Sequence, residues 1–294
     1  MSRASSELDI AVVIVTYKCA TLTLQSLASI VPERSIAGMR IRVVVVDNAS
    51  GDTNELAEVI ETNDWSSWVT LVTAPRNGGF AYGNNVGIRR AYDTGTPAYV
   101  YLLNPDAQIR SGAIASLARF LEAHPDVGIA GGSFETLDGS DWPFAFRFPG
   151  LMSELLQGIG IGALMRLFDR WVVARPMKRV AQPTDWISGA SMMIRPSVLA
   201  SIGGLDENYF LYFEETDLCY RAKQAGFHAV DFHHNVGKRA DKLLLLGKSF
   251  AEFLHGAASG LQEHLLGIGN DSRFIGKNAF GCFLKGWSGE NFIG

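Results

Sequence analysis

Short β-branched and aromatic runs recur through the first hundred residues: Ile10–Thr16 (IAVVIVT), Ile41–Val46 (IRVVVV), Val69–Thr73 and Tyr99–Leu103 (YVYLL). The first two show no polar alternation, which marks strands buried on both faces. Helical spacing fills the gaps, over residues 20–31, 53–62 and 80–92. This alternation predicts an α/β chain: a doubly wound, mostly parallel sheet with helices on both faces. Such sheets take ligands outside the carboxyl ends of their strands, at the switch in strand order. Each run ends in polar residues there: Thr16-Tyr17, Asp47-Asn48, the loop around Asn77, and Asn104-Pro105-Asp106.

The 294 residues suit one large domain with an appendage, and 47% hydrophobic against 19% charged residues supplies an ample core. Lys plus Arg number 26 against 30 Asp plus Glu, a net charge of −4, so no overall basic field exists and nucleic acid is not an expected partner. Cys19, Cys219 and Cys282 lie far apart with no CxxC pair, which argues against a disulfide framework and fits a cytoplasmic setting. The polar start MSRASSELD shows no signal peptide. The composition changes near 108 and 231. The expected division is a domain over 1–230, with halves 1–108 and 109–230, and a helical appendage over 231–294.

Two apolar stretches stand out. Residues 151–171 lead into a crowd of Arg166, Arg170, Arg175, Lys178 and Arg179, beside Phe168 and Trp171. Farther on, Leu243, Leu246, Phe250, Phe253, Leu254, Leu261 and Leu265 return to one helical face. Both read as helices packed on the core, or as a surface resting on an acidic leaflet.

Each strand-end motif has a functional and a structural reading. Asp47 can accept hydrogen bonds from a base imide or a sugar hydroxyl, or it can organise the next turn with Ser50. Asn77-Gly78-Gly79-Phe80 opens a helix whose bare amides suit a diphosphate, or it is an ordinary Asn-Gly turn. Asp106 supplies the single carboxylate that a diphosphate-bound Mg²⁺ or Mn²⁺ needs, or it caps a helix. Glu214, Glu215 and Asp217 crowd against Tyr209, Phe210, Tyr212 and Phe213. Carboxylates so placed raise one another's proton affinity, as a general base requires. The structural alternative is an acidic first helical turn with an Asp217–Arg221 pair at i,i+4.

Taken in order, VVIVTYK, VVVVDNASGD, NGGFAYGNN, LLNPDA, DWISGASMMIRP and GGLDENYFLYFEETDLCYRAKQAGF resemble the inverting GT-A glycosyltransferases of family 2, rhamnosyltransferase-like members above all. The resemblance spans roughly residues 10–228. It implies a nucleotide-binding half followed by an acceptor and catalytic half. Thr16, Tyr17, Asp47 and Asn48 would hold the base and ribose, with Asn77, Gly78, Gly79, Phe80, Asn84 and Asn104 around the rest of the donor. Asp106 stands at the family's metal motif. Trp186, Gly189, Ala190, Glu214 and Asp217 would flank sugar and acceptor. Glu215 fills the place of the catalytic base, where the family usually has Asp.

A second departure follows Gly226. Many relatives complete the metal site there with a histidine, whereas this spacing brings Lys238 or Arg239 to that position and His233 and His234 come too early. His234 is a candidate ligand only if the loop shifts. The implied partners are a nucleotide-diphosphate sugar (dTDP-rhamnose, or a UDP-hexose or UDP-galactofuranose), a glycan or polyprenyl-linked acceptor, and the inner face of an acidic membrane. A non-catalytic sugar-nucleotide-binding subunit is the alternative. A Rossmann dehydrogenase is disfavoured, because no GxGxxG turn follows the first strand.

Overall fold

The computed structural model describes residues 7–135, 141–142, 144–151, 153, 173, 180–232 and 242–245. The predicted strands and helices form where their residues direct. Strands β1 (Leu8–Thr16), β2 (Met39–Asp47), β3 (Val69–Thr73) and β4 (Tyr99–Leu103) are joined by helices α1 (Ala20–Ile30), α2 (Thr53–Thr62) and α3 (Gly79–Tyr92). All four strands are parallel, in spatial order β3-β2-β1-β4. Residues Ile10 to Ile14 of β1 are wholly buried, which explains their lack of alternation.

This order contains the switch that matters. The chain steps outward from β1 to β3, then crosses back to lay β4 on the other side of β1. A crevice therefore opens beyond Thr16 and Leu103, at the carboxyl ends of adjacent parallel strands. Helix α3 packs tightly against β1. A Cβ at Gly83 would lie 2.5 Å from Val15 Cγ1, and one at Gly87 would lie 2.3 Å from Val13 Cγ1. Glycines one turn apart thus let the helix backbone settle on β1.

Beyond β4 the sheet becomes mixed. The chain forms β5 (Ala107–Ile109), α4 (Ala113–Ala123), β6 (Val127–Glu135), β7 (Asp141–Trp142), β8 (Ala145–Phe146), β9 (Gln182–Thr184), β10 (Trp186–Ile187) and β11 (Ser191–Ile194). It continues through α5 (Pro196–Ile202), α6 (Glu214–Gln224), β12 (His228–Phe232) and β13 (Lys242–Leu245). Strand β11 inserts antiparallel between β4 and β6, pairing Ser191 with Leu103. Ala190 is thereby brought beside Asn104, whose N–H donates to the Ala190 carbonyl at 3.1 Å.

One expectation is corrected. Lys242–Leu245, including Leu243 of the apolar helical spacing, is a strand that pairs antiparallel with β5 and parallel with β6. Backbone pairing with those two strands, rather than side-chain periodicity, sets its conformation. The remaining residues of that spacing lie outside the described residues, as do the basic residues between 166 and 179.

Candidate active site

The loops leaving β1 and β2 meet first. Asn48 N–H donates to the Thr16 carbonyl at 2.9 Å. The Thr16 hydroxyl accepts from Thr23 Oγ1 at 2.8 Å and lies 3.1 Å from Cys19 Sγ. Tyr17 is half-buried beside it, with Lys18 Nζ 5.6 Å from its ring centre. Asp47 is fully buried. One of its oxygens accepts from Ser50 N–H at 2.9 Å and Ser50 Oγ at 2.6 Å, and the other accepts from Thr53. Asp47 therefore organises the turn into α2. Asn48 is different. Its amide group donates to Asn77 Oδ1 and to the Gly79 carbonyl, both at 3.0 Å, while its Oδ1 is buried with no partner among the described residues. An amide acceptor orphaned in this way costs about 1–3 kcal/mol unless a ligand supplies a donor.

The Asn77–Phe80 loop departs from the sequence expectation. Its amides at Gly79 and Phe80 are not bare: Gly79 N–H donates to Asn77 Oδ1 at 3.1 Å and Phe80 N–H to the Phe210 carbonyl at 2.8 Å. Gly79 has φ +87°, and a Cβ there would stand 1.9 Å from the Phe210 oxygen. The glycine thus permits close approach of the aromatic loop over residues 209–213. Asn84 turns back into its own helix, donating to the Phe80 carbonyl at 2.9 Å. Asn85, which the sequence did not single out, clamps the Leu205 backbone through both amide atoms at 2.8 and 2.9 Å. Its signal was only a polar residue on the buried face of a helix.

Gly189 is the meeting point. A Cβ there would lie 3.1 Å from Phe80 Cε1 and 3.7 Å from Glu215 Cβ. Phe80, Gly189 and Glu215 therefore share one wall, and Ala190 ties that wall to Asn104. Asp106 follows at the same strand end, 8% exposed, its carboxyl pushed up by burial. Trp186 sits farther out, stacked on Phe146 at 4.3 Å and donating from its indole to the Arg147 carbonyl at 2.9 Å. Its ring is committed to the β8–β10 pair.

Helix α6 carries the acidic motif in its first turn, preceded by Tyr212 and Phe213 in left-handed backbone conformations. Two such residues in succession cost about 1–3 kcal/mol each, a strain that clusters at functional sites. Glu214 is 2% and Glu215 9% exposed, and Oε2 of each has no partner among the described residues. Burial raises the Glu215 carboxyl to about 7, against the pull of the Glu215 and Gly189 amides. Burial, then the charge of Glu215, raises Glu214 well above the ordinary carboxylate range. Desolvation outweighs the helix N-terminus here. Asp217 takes the structural alternative. Arg221 Nε donates to it at 2.7 Å, while the same guanidinium binds the Ile202 and Gly204 carbonyls at 2.8 and 2.9 Å.

Among the described residues, no group of three His, Cys, Asp or Glu side chains could cage a metal ion. One hard carboxylate at a strand end does suit an ion held chiefly by substrate phosphates and water. Asp106 fits that donor set. His234, Lys238 and Arg239 lie outside the described residues. A separate cleft of about 340 Å³ runs along the later turns of α6, lined by Arg147, Thr184, Asp185, Cys219, Lys223 and His228, and holds none of the predicted site residues.

Comparison with known proteins agrees with this architecture. A family model described as "Glycosyltransferase like family 2" matches residues 8–238. The N-acetylglucosaminyl-diphospho-decaprenol L-rhamnosyltransferase of Mycobacterium tuberculosis (strain ATCC 25618 / H37Rv) is 31% identical over 233 residues, covering 74% of this chain and 72% of the relative. The low-salt glycan biosynthesis hexosyltransferase Agl10 of Haloferax volcanii is 30% identical over 239 residues, covering 77% and 67%. Among solved structures, GalNAc-T7 with UDP, GalNAc and Mn²⁺ superposes with a TM-score of 0.57 at 14% identity, over 81% of this chain and 43% of the larger protein. The mannosyltransferase PcManGT from Pyrobaculum calidifontis, in complex with GDP-Man and Mn²⁺, gives 0.55 at 14% identity over 97% and 76%. Identity that low speaks for the GT-A-like fold alone. The family match, spanning the strand-end crevice and the acidic helix alike, makes this chain a member of glycosyltransferase family 2.

Proposed function

We propose that this chain transfers a sugar, rhamnose from dTDP-rhamnose in the first instance, from a nucleotide-diphosphate donor to a hydroxyl of a glycan or polyprenyl-linked saccharide, with inversion. The observation that carries this reading is Glu215: a buried carboxyl raised to about 7, one oxygen unpaired, against Gly189 and Phe80 at the strand-end crevice. A base is most effective when its proton affinity lies near the working pH. In its ionised form Glu215 accepts the proton of the acceptor hydroxyl as that oxygen attacks the anomeric carbon. The bond from that carbon to the diphosphate oxygen breaks on the opposite face, and the electron pair leaves with the nucleoside diphosphate. One displacement suffices, with no covalent enzyme intermediate.

Asn48 offers its unpaired Oδ1 to a donor hydroxyl or imide N–H, with the half-buried Tyr17, Asn77 and Phe80 beside it, while the fully buried Thr16 and Asp47 brace the turns that hold it. Asp106 would hold a Mg²⁺ or Mn²⁺ ion, which when bound neutralises charge on the departing diphosphate. The rhamnosyltransferase name of one relative and the hexosyltransferase name of another support both donor classes. No helix among the described residues is long and apolar enough to cross a membrane. The basic residues between 166 and 179 support peripheral contact with an acidic leaflet, and co-sedimentation indifferent to anionic lipid would overturn that part.

The decisive test is sugar transfer to N-acetylglucosaminyl-diphospho-decaprenol, with dTDP-rhamnose and UDP-hexoses as donors and Mg²⁺ or Mn²⁺ present. Glu215→Gln is expected to lose about 10²–10⁴-fold in rate while still binding donor. Activity near wild type in that variant removes Glu215 from its role.

A further inference from the structure

Glu214 and Glu215 are buried, yet the residue just before them is not: Phe213 is 46% exposed. It follows Tyr212 in a left-handed conformation, with φ values of 73° and 71°. Glycine would take this backbone without strain, so the geometry alone gives no reason for a large aromatic side chain at this position. The loop is held in place from behind, through the Phe80 N–H bond to the Phe210 carbonyl at 2.8 Å and the close fit of Gly79. Tyr209, from the same loop, is 37% exposed. An exposed aromatic ring is thus fixed two residues from the base, on a loop anchored to the donor-side helix.

Sugar rings present an apolar C–H face between their hydroxyl edges, and a fixed aromatic face accepts such a surface while leaving the hydroxyls to polar groups. We propose that Phe213 is the platform of an acceptor-sugar subsite, on which the pyranose ring of the acceptor stacks so that its reacting hydroxyl faces Glu215. This rests on the transferase reading above. Phe213 touches the acceptor and leaves the donor alone, so its removal weakens acceptor binding selectively.

The test compares wild type, Phe213→Gly and Phe213→Trp, using dTDP-rhamnose and N-acetylglucosaminyl-diphospho-decaprenol in detergent. Three readouts are acceptor KM, the thermal shift produced by dTDP, and the urea midpoint. Phe213→Gly relieves the left-handed backbone, so its urea midpoint is expected to hold or rise while acceptor KM increases about tenfold. The dTDP shift stays at the wild-type value, and Phe213→Trp restores KM. An unchanged KM in Phe213→Gly overturns the platform while leaving the transferase reading intact, because wild type still turns over. A fall in urea midpoint and dTDP shift together assigns Phe213 a structural role and overturns it equally. Absence of wild-type transfer with every donor, despite a dTDP shift, overturns the transferase reading and the platform with it.

Discussion

The buried Glu215 carboxyl ties catalysis to stability, and Glu215→Gln separates the two. In the unfolded chain a glutamate titrates near 4.5, and in the folded protein burial moves this one to about 7. The folded state therefore holds its proton more tightly than the unfolded state does. Stability from this group is fully present below about pH 4.5, falls as pH rises toward 7, and levels off above that. At 1.36 kcal/mol per pH unit the loss is on the order of 3 kcal/mol. Glutamine does not titrate, so the variant lacks this slope. Glu214 is raised in the same direction and keeps some slope in both proteins, but it loses the repulsion of Glu215 in the variant. Urea unfolding at about pH 4 and pH 8 should show wild type losing on the order of 3 kcal/mol more than Glu215→Gln across that range. The wild-type transfer rate should rise with pH to a plateau above about 7, as the base ionises. Parallel stability curves for the two proteins would refute the claim that Glu215 is held in a desolvated site.

Other perturbations probe the frame around it. Gly79→Ala forces a Cβ to within 1.9 Å of the Phe210 oxygen at a φ of +87°, and should destabilise by about 2 kcal/mol or more in thermal unfolding. Asn85→Ala leaves the Leu205 N–H and carbonyl without their side-chain partners, for an expected loss of about 1–3 kcal/mol by urea denaturation. Asp106→Asn removes a carboxylate whose charged form is penalised by burial. It should leave the apoprotein at least as stable at neutral pH while abolishing the extra thermal shift that Mn²⁺ adds to bound dTDP.

Much of the donor side was legible in the chain itself. Unalternating runs such as Ile10–Thr16 can be satisfied only by burial on both faces, and short helices between them enforce parallel pairing. Thr16, Asp47, Asn48 and Asn104 consequently fall at strand ends in the structure as they do in the sequence. Local chemistry also foretold the Asp217–Arg221 pair, because i,i+4 neighbours meet on any helix.

The acceptor side was decided by tertiary structure. No pattern near Gly79 announces the Phe210 carbonyl that needs it bare, and the Asn-Gly-Gly amides looked free because their partner lies far along the chain. Leu243 begins a helical apolar spacing, yet it lies in the strand Lys242–Leu245, paired with β5 and β6. Only the antiparallel insertion of β11 brings Gly189 to Phe80 and Glu215, and only that burial turns an ordinary surface carboxylate into a group that titrates near neutrality. Hydrophobic periodicity records which way each residue faces along its own segment. Which segments become neighbours, and how dry the space between them is, depends on hydrogen bonds and packing that close across more than a hundred residues.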